Sequence, residues 1–469
     1  MKRFFTIVAL FAVILVSYSQ SLGYQDLALL FSENDENGSA RFTAMSGAFG
    51  ALGGDISAMS INPAGIAVFS NSAFSATFNS RNTEITANYY NSNITTKEDF
   101  FNFSNAGAVL IFDTAYNSKW SKFAIGFNYR VTKDFNNSFI AQGNSGIATF
   151  NQFPLDQNTI PIDYNIGEEQ QFLNTTSGEI SEINVAFSPV HENKLYVGAG
   201  FNAYDLNFNQ RSTLREFNTD GNNNHLDAEF YQENNTTGAG ISLNAGFIYK
   251  LHKNFRFGLA YQSPTWFTEV LEDTNIVPNE GSRLGDIPFL GDTEISVTED
   301  PTNGYANTAG DFFPSQRLLY RIKTPSKLTA SAAFVFGKNG LLSFDYSNRN
   351  FTGMNLSQED FLAENQFFQN NLRNTHNINV GTEWRFNRFS IRGGYKFEQS
   401  PFANATTTEN IEGYSFGGGY NFGNSKFDLS YTNNNRNSSY NFYSEYNNIN
   451  AAGLNINNTV VTATLTFNL

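Results

Sequence analysis

From about Ser72 to the final residue, Leu469, the chain repeats short segments in which apolar and polar residues alternate. The last segment shows the pattern clearly, because every second residue from Val461 to Leu469 is apolar and those between are threonine or asparagine. Since the side chains of a strand point to opposite faces in turn, each segment predicts a strand with one apolar and one polar face. Repeated around a closed sheet, this pattern predicts an all-β fold, a transmembrane antiparallel β-barrel with a polar interior.

The alternation predicts fourteen strands, an even number as single-chain bacterial outer-membrane barrels have. Their approximate bounds are Ala73–Tyr90, Ala106–Thr114, Phe123–Val131, Ile183–Phe187, Leu195–Ala203, Ile241–Tyr249, Phe255–Tyr261, Leu328–Phe336, Leu341–Tyr346, Ile378–Phe386, Phe389–Phe397, Tyr414–Phe422, Phe427–Tyr431 and a last strand that ends at Leu469.

The joins between these strands alternate in length. Six are short turns of Asn, Gly, Lys and Ser, which we place on the periplasmic side. Four others are long, and we expect them to be extracellular loops, since a compact soluble domain rarely has such long structureless joins. The long joins are 132–182, 204–240, 262–327 and 347–377.

Charged residues within the strands fall on the polar face, as a barrel requires, because a charge facing lipid is costly. A soluble, exported β-sandwich or solenoid would also alternate, but it would leave strand edges exposed. The charges predicted to face the lumen are Arg130, Arg256, Glu383, Arg385, Arg392, Lys396 and Glu398.

The first 19 residues read as a secretory signal peptide. Lys2 and Arg3 give it a positive start, Phe4 to Val16 form an apolar run, and Ser19 ends a small-x-small cleavage site. The run is too short to span a bilayer as a helix. The sequence therefore predicts an exported chain.

Composition excludes several classes of function. The 469 residues include no cysteine, so disulfides and thiolate metal sites are excluded. With 43 acidic and 29 basic side chains the net charge is −14, which disfavours nucleic acid as a partner. The four histidines lie in no hydrolase or zinc-protease motif, and we expect neither an enzyme nor a cofactor.

Residues 20–71 differ from the rest in being rich in glycine and alanine. Asp55 is a candidate N-cap for a short helix. That helix should end at Asn62, because the residue before Pro63 is disfavoured in helical conformation. A segment this small is not stable alone, so we expect it to sit inside the barrel of residues 72–469 as a plug.

A glycine-rich segment, a small helix, Asn62-Pro63-Ala64 and then the first strand resemble the hatch of FadL-type outer-membrane transporters for long-chain fatty acids and other hydrophobic compounds. In that family a fourteen-stranded barrel is plugged by an N-terminal hatch that carries an Asn-Pro-Ala motif. The resemblance implies a passive transporter in the bacterial outer membrane, a monomer in contact with lipid, whose ligand is a hydrophobic small molecule.

The resemblance also implies a mechanism. Ligand captured among the extracellular loops would pass to an apolar pocket, and a shift of the hatch near Asn62, Pro63, Ala64 and Asp55 would release it sideways through a gap beside a kinked third strand. The third strand here has no proline, so the kink is left open. The candidate hydrophobic path comprises Phe42, Met45, Phe49, Leu52, Met59, Ile61, Leu110 and Phe112.

In the second strand, Val109, Leu110, Ile111 and Phe112 are apolar on both faces, which fits either a wall for ligand or a strand packed on the plug. Two other functions remain open. A non-transporting barrel could act through its loops as an adhesin or surface antigen. A general porin fits less well, since an Ala/Gly/Phe plug would block free flow of water.

Overall fold

Fourteen antiparallel strands form a closed barrel in the computed structural model. Four of the fourteen strands are interrupted, and each of these consists of two consecutive segments. The residues that the structure describes are 22–114, 119–153, 160, 162–276, 315–443 and 446–469.

We number the barrel strands β1 to β14. They are β1 Ala73–Tyr89, β2 Ser92–Asp113, β3 Trp120–Asp134 with Asn137–Gly143, β4 Ile166–His191, β5 Leu195–Thr219, β6 His225–His252, β7 Phe255–Gln262 with Trp266–Ile276, β8 Ser315–Lys323 with Lys327–Phe336, β9 Gly340–Arg349 with Asn355–Ser357, β10 Thr375–Phe386, β11 Phe389–Glu398, β12 Ile411–Asn421, β13 Ser425–Tyr440 and β14 Ala452–Asn468.

The last strand pairs with the first and closes the barrel. The register between β1 and β14 runs from Ala73 opposite Asn468 to Asn88 opposite Gly453. A closed sheet has no free edges of the kind a sandwich leaves, so the sandwich alternative is excluded.

The predicted division into an apolar outer face and a polar inner face is confirmed. In β14, Val461 and Leu465 are 41% and 40% exposed on the outside, whereas Thr462 and Thr464 are 0% and 1% exposed on the inside. Exposed apolar side chains are expected where lipid is the solvent.

Several strands are much longer than predicted. The joins 132–182 and 204–240 are largely strand rather than loop, and β5 and β6 meet across a tight turn at residues 220–224. The reason is that above the bilayer water replaces lipid on the outside, so a strand there loses its apolar outer face. Of the predicted loop 262–327, residues 277–314 lie outside the described part, as does the predicted signal peptide.

Inside the barrel lies the N-terminal segment, residues 22–71. It contains helices α1 (Tyr24–Leu30) and α2 (Ala40–Thr43) and two 3-10 turns (Ile56–Ser60 and Pro63–Val68). Most of its residues from 38 to 67 are buried.

Outside this segment the described elements are few. In the join between β9 and β10, helix α3 spans Leu362–Asn371. The remaining elements are two 3-10 turns, Phe351–Gly353 and Thr407–Glu409, and a two-stranded sheet of Gln152–Phe153 and Ile162–Asp163. Over the described ranges, none of the helices is both long and apolar enough to cross a membrane.

Candidate functional site

The Asn-Pro-Ala turn holds the N-terminal segment to the barrel wall. Asn62, whose side chain is fully buried, donates from Nδ2 to the carbonyl oxygens of Gly50 (2.8 Å) and Phe247 (3.0 Å). Its Oδ1 accepts from the backbone N–H of Ala64 (3.2 Å) and so caps the turn in which Pro63 is the first residue. One side chain therefore joins two parts of the segment to strand β6.

Two glycines of the wall make room for this turn. A Cβ atom at Gly198 of β5 would lie 2.2 Å from the backbone nitrogen of Ala64. A Cβ atom at Gly246 of β6 would lie 2.6 Å from Oδ1 of Asn62. The turn can dock only because these positions carry no side chain.

Asp55 is the N-cap that the sequence predicts, although the helix it caps is a 3-10 turn. Its carboxylate accepts from the N–H of Ser57 (3.0 Å) and from the hydroxyl of Ser39 (2.7 Å). Ser39 in turn caps helix α2 by accepting from the N–H of Phe42 (3.1 Å). The two capping residues thus connect the start and the middle of the segment.

The six apolar residues predicted in the N-terminal segment lie inside the barrel. The rings of Phe42 and Phe49 stack with centroids 5.5 Å apart. They share a buried cluster with Leu341 of β9. Met45 and Leu52 belong to the same cluster, and Ile61 packs at its margin. Met59 belongs to a second cluster, which includes Ala64 of the Asn-Pro-Ala turn.

The prediction that Leu110 and Phe112 line an internal path is wrong. Both side chains point outward, with 37% and 40% exposure on the lipid-facing surface. The inward residues of this run are Val109, which is fully buried and packs with Met59 and Ile66, and Ile111, which is partly buried against the same cluster. In a strand where four consecutive residues are apolar, composition alone does not fix which pair faces in.

The predicted lumen charges are confirmed by their partners. Glu383 of β10 is 1% exposed and accepts from Arg41 of α2 and from Arg392 of β11, both at 2.7 Å, and it also pairs with Arg385. The three cations offset the cost of burying this carboxylate. The pair with Arg41 fixes the N-terminal segment close to the short turn between β10 and β11.

A second charged contact lies higher in the barrel, and we call residues 33–37 the acidic strap. Glu33 pairs with Arg436 of β13 (2.6 Å) and Lys133 of β3 (2.9 Å). Glu36 pairs with Lys396 of β11 (3.4 Å) and Lys327 of β8 (3.9 Å). The strap is therefore held by basic side chains from strands on different sides of the lumen.

The charges around the strap decide its ionisation. Burial alone would raise the pKa of the Glu33 carboxyl, but Arg436 and Lys133 hold that pKa well below its ordinary value. The pKa of Glu36 is likewise lowered by Lys396 and Lys327 in spite of burial. Both carboxylates are ionised at neutral pH. If the strap moved away, Lys133 and Arg436 would lose the carboxylates that pair with them, whereas Lys396 would keep Glu398.

The strap borders a cavity of about 80 Å³, lined also by Arg130, Lys327 and Arg349 of the wall and by the apolar Phe31 and Phe267. A cavity needs roughly 10–15 Å³ on this measure to hold one water molecule. The space therefore suits a few waters and is too small for a long acyl chain.

Next to this cavity, helix α1 fills an apolar chamber. Leu27 is fully buried and Phe31 is 3% exposed. They pack against Phe208 of β5, Tyr320 of β8 and Phe368 of α3. Sequence reasoning missed α1 and the strap. The signal was an apolar run from Leu27 to Phe31 followed directly by an acidic run.

The wall has a discontinuity between β2 and β3. Their backbone pairing ends at Asn105 opposite Arg130, although in this fully described part β2 continues to Ser92. Beyond that point β3 breaks at residues 135–136, and its second segment (Asn137–Gly143) pairs only with β4 among the described strands. Strand β3 is therefore interrupted close to this discontinuity, although it contains no proline.

The extracellular mouth is closed by polar contacts to Glu216 of β5. This fully buried carboxylate accepts from the N–H and hydroxyl of Thr149 (2.9 and 2.8 Å) and from the hydroxyl of Tyr443 (2.5 Å). Thr149 and Tyr443 belong to two different joins, which fold in over the apolar cluster around Phe172 and Phe442. These contacts tie the two joins to the inner face of β5.

Within the described ranges, no group of three or more His, Asp or Glu residues could hold a metal ion. His191, His252 and His225 lie at strand ends beside turns, and His376 is exposed, with its Nδ1 2.5 Å from the hydroxyl of Tyr346. These histidines are dispersed around the barrel and do not assemble a common site.

Comparison with known proteins agrees with this architecture. Residues 23–277 match the family model described as outer membrane protein transport protein (OMPP1/FadL/TodX). No curated protein matches the chain. A Pseudomonas aeruginosa FadL homologue is similar in structure, with a TM-score of 0.59 and 14% identity over 92% of this chain and 98% of that one.

Two further solved structures are similar. The Pseudomonas putida toluene transporter TodX gives a TM-score of 0.51 and 13% identity over 93% of this chain and 100% of that chain. The monoaromatic hydrocarbon channel CymD gives a TM-score of 0.53 and 13% identity over 93% of this chain and 99% of that chain. At these identities the likeness concerns the fold.

Proposed function

Because this chain belongs to the outer membrane protein transport family (OMPP1/FadL/TodX), whose members are channels for hydrophobic compounds, we propose that it carries hydrophobic small molecules such as long-chain fatty acids passively across the outer membrane. It acts as a monomer surrounded by lipid, with residues 22–71 as a hatch.

One observation carries this proposal: an apolar chamber filled by helix α1 adjoins a polar cavity. The charged residues that line this cavity are Arg130, Lys327 and Arg349 together with Glu33, Glu36 and Glu398. Burying a methylene group is worth about 0.8 kcal/mol, so an acyl chain that replaced α1 in the chamber would recover much of the contact energy lost. Its carboxylate would meet Lys133, Lys327 and Lys396, which the strap now neutralises. This arrangement suits an amphiphile with an anionic head.

Release follows from a shift of the hatch at the Asn62-Pro63-Ala64 turn. The turn is held by the hydrogen bonds of one side chain and by close fit to Gly198, so it can undock without breaking the barrel. The discontinuity between β2 and β3 then gives the ligand a sideways exit into the membrane. A general porin is less well supported, since a water-filled bore would have to break the Arg41–Glu383 pair.

The test is uptake by cells that lack their own fatty-acid channel and carry this gene or an empty vector. Radiolabelled dodecanoate, oleate and toluene are supplied separately at limiting concentration. The proposal expects uptake of the two fatty acids to rise over the empty vector. Equal uptake of all three compounds with and without the protein, when a folded barrel is confirmed by heat-modifiability on gels, would refute it.

A further inference from the structure

The free edge of β3 is occupied by the acidic strap. The backbone N–H of Asp35 donates to the carbonyl oxygen of Thr132 (2.8 Å). The carboxylate of Asp35 accepts from the N–H of Asp134 (3.0 Å) and pairs with Lys133 (3.0 Å). Thr132, Lys133 and Asp134 follow Val131, the residue next to Arg130, at which the pairing with β2 ends.

The far end of the strap is tied to β1. Asn37 donates from Nδ2 to the carbonyl oxygen of Val131 (3.0 Å) and accepts at Oδ1 from Asn79 (3.0 Å). Asn79 lies opposite Asn102 of β2 in the β1–β2 register. Since β2 lies between β1 and β3, the strap runs behind β2 at the height of the discontinuity.

Apart from the strap, the contacts across the discontinuity above Arg130 are made by side chains. Asn102 donates to Asp134 (3.2 Å), and Thr96 donates to the carbonyl oxygen of Ser138 (2.7 Å). The hydroxyl of Ser138 donates to Glu98, and Arg81 of β1 pairs with Asp134 (3.1 Å). Side-chain hydrogen bonds and ion pairs are more easily exchanged than a strand ladder. A segment that supplies backbone and carboxylate partners to an unpaired strand edge replaces the missing strand.

From this geometry we propose that the acidic strap is a latch that closes the gap between β2 and β3 from the inside, with Asp35 as the residue that fastens it. The latch is separate from the Asn-Pro-Ala turn, which docks against β5 and β6. Opening of the sideways exit then requires Asp35 to leave β3. The inference rests on the proposed function in that it concerns the same exit.

The first test needs no transport substrate. The chain has no cysteine, so Thr132→Cys, at a position now 4% exposed, gives a single reporter thiol. Its reaction with N-ethylmaleimide is timed in vesicles of outer-membrane lipid, with and without Asp35→Asn. That substitution removes the charge that pairs with Lys133, and we expect modification to become about tenfold faster.

Asp273→Asn is the matched control, since Asp273 also pairs with a cation, Arg317 (2.6 Å), but on the exposed outer side of the barrel. It should leave the rate unchanged. Asn37→Ser, which removes the contacts to Val131 and Asn79, is a second latch variant in case Asp35→Asn does not fold. If a folded latch variant modifies within twofold of the parent, the latch is refuted.

The second test measures uptake of labelled dodecanoate. In the variant Asp35→Cys/Thr132→Cys, a short bifunctional thiosulfonate should lock the strap to β3, slow uptake by about tenfold or more, and be reversed by dithiothreitol. If the completely cross-linked protein takes up dodecanoate as fast as the same protein after dithiothreitol treatment, the latch is overturned. If even the parent takes up nothing, the proposed function fails, and the modification rates alone decide the latch.

Discussion

Replacing Asn62 with aspartate should undock the Asn-Pro-Ala turn while leaving the barrel folded. The substitution keeps size and shape, and it keeps the oxygen that accepts from the N–H of Ala64. It removes the amide that donates to the carbonyl oxygens of Gly50 and Phe247. A carboxylate oxygen would then face two carbonyl oxygens in a fully buried site.

The size of the effect follows from the bonds that are lost. Each hydrogen bond contributes about 0.5–1.5 kcal/mol net, and a buried polar group left unsatisfied costs about 1–3 kcal/mol. We therefore expect docking of the turn to weaken by about 2–4 kcal/mol, which is roughly a 30- to 1,000-fold rise in the undocked fraction. The barrel ladders do not include Asn62 and should be unaffected.

Amide hydrogen exchange in detergent micelles measures this directly, because exchange of a protected amide follows the population of the open form. The amides to follow are those of Gly65, bonded to the carbonyl oxygen of Asn62 (2.9 Å), and Gly54, bonded to that of Gly65 (3.0 Å). Both should exchange faster by the predicted factor, whereas amides of β13 and β14 should not change.

Asn421→Asp is the matched control. Its side-chain oxygen accepts from the N–H of Gly423 (2.8 Å) in an exposed turn, a role that aspartate can take over. If Asn62→Asp leaves exchange at Gly65 and Gly54 within threefold of the parent, the hydrogen bonds of Asn62 do not hold the segment in place.

Three further predictions concern the same segment. Gly198→Ala should make limited proteolysis of the N-terminal segment faster, because the added Cβ would strike Ala64. Gly393→Ala is the control, since its added Cβ has its nearest neighbour at 3.8 Å and should leave the cleavage rate unchanged. Equal cleavage of the two variants would contradict the docking geometry. Burial raises the pKa of Asp26 to about 6, so docking of α1 should weaken as pH rises from 4 to 7. The exchange of α1 amides measures this docking, and the variant Asp26→Asn should lose the pH dependence. If the parent protein shows no such trend, Asp26 does not control the docking of α1. Pro63→Ala should lower dodecanoate uptake while the barrel stays heat-modifiable, and unchanged uptake would exclude a gating role for the turn.

Docking of α1 depends on pH because the pKa of Asp26 differs between the docked and undocked states. A carboxyl whose pKa is higher in the docked state binds its proton more tightly there. Docking is therefore favoured at pH values below the ordinary pKa of 3.8 and loses that advantage as pH rises to about 6. Glu33 behaves in the opposite way, since its pKa is lowered, and it supports docking at all pH values above its ordinary range.

The sequence predicted the membrane belt of the barrel well but not the height of its strands. In β5, Phe201 points outward and is 45% exposed, whereas Leu206 and Phe208, higher in the same strand, point inward and are each 1% exposed. The apolar face changes sides where the strand leaves the bilayer, because water then lies outside and α1 packs inside. A prediction that places every second apolar residue on the outer face along the whole strand therefore fails above the bilayer.

The candidate site was predictable in part for a similar reason. Asp55 and Asn62 could be identified because capping and proline rules act locally. The acidic strap could not, since Glu33, Asp35 and Glu36 gain their meaning from basic residues that lie far away in the chain, such as Lys133 and Lys396. Only closure of the barrel brings those charges together.

If a hydrophobic compound passes through the interior, past the N-terminal segment, it must be found inside the barrel. Bromine anomalous scattering from crystals soaked with a terminally brominated dodecanoate tests this most directly. We expect a bromine peak inside the barrel, in the chamber between Leu27 and Phe368 that α1 now fills. Bromine found at saturation only on the outer, lipid-facing surface, with α1 still packed in place, would contradict it.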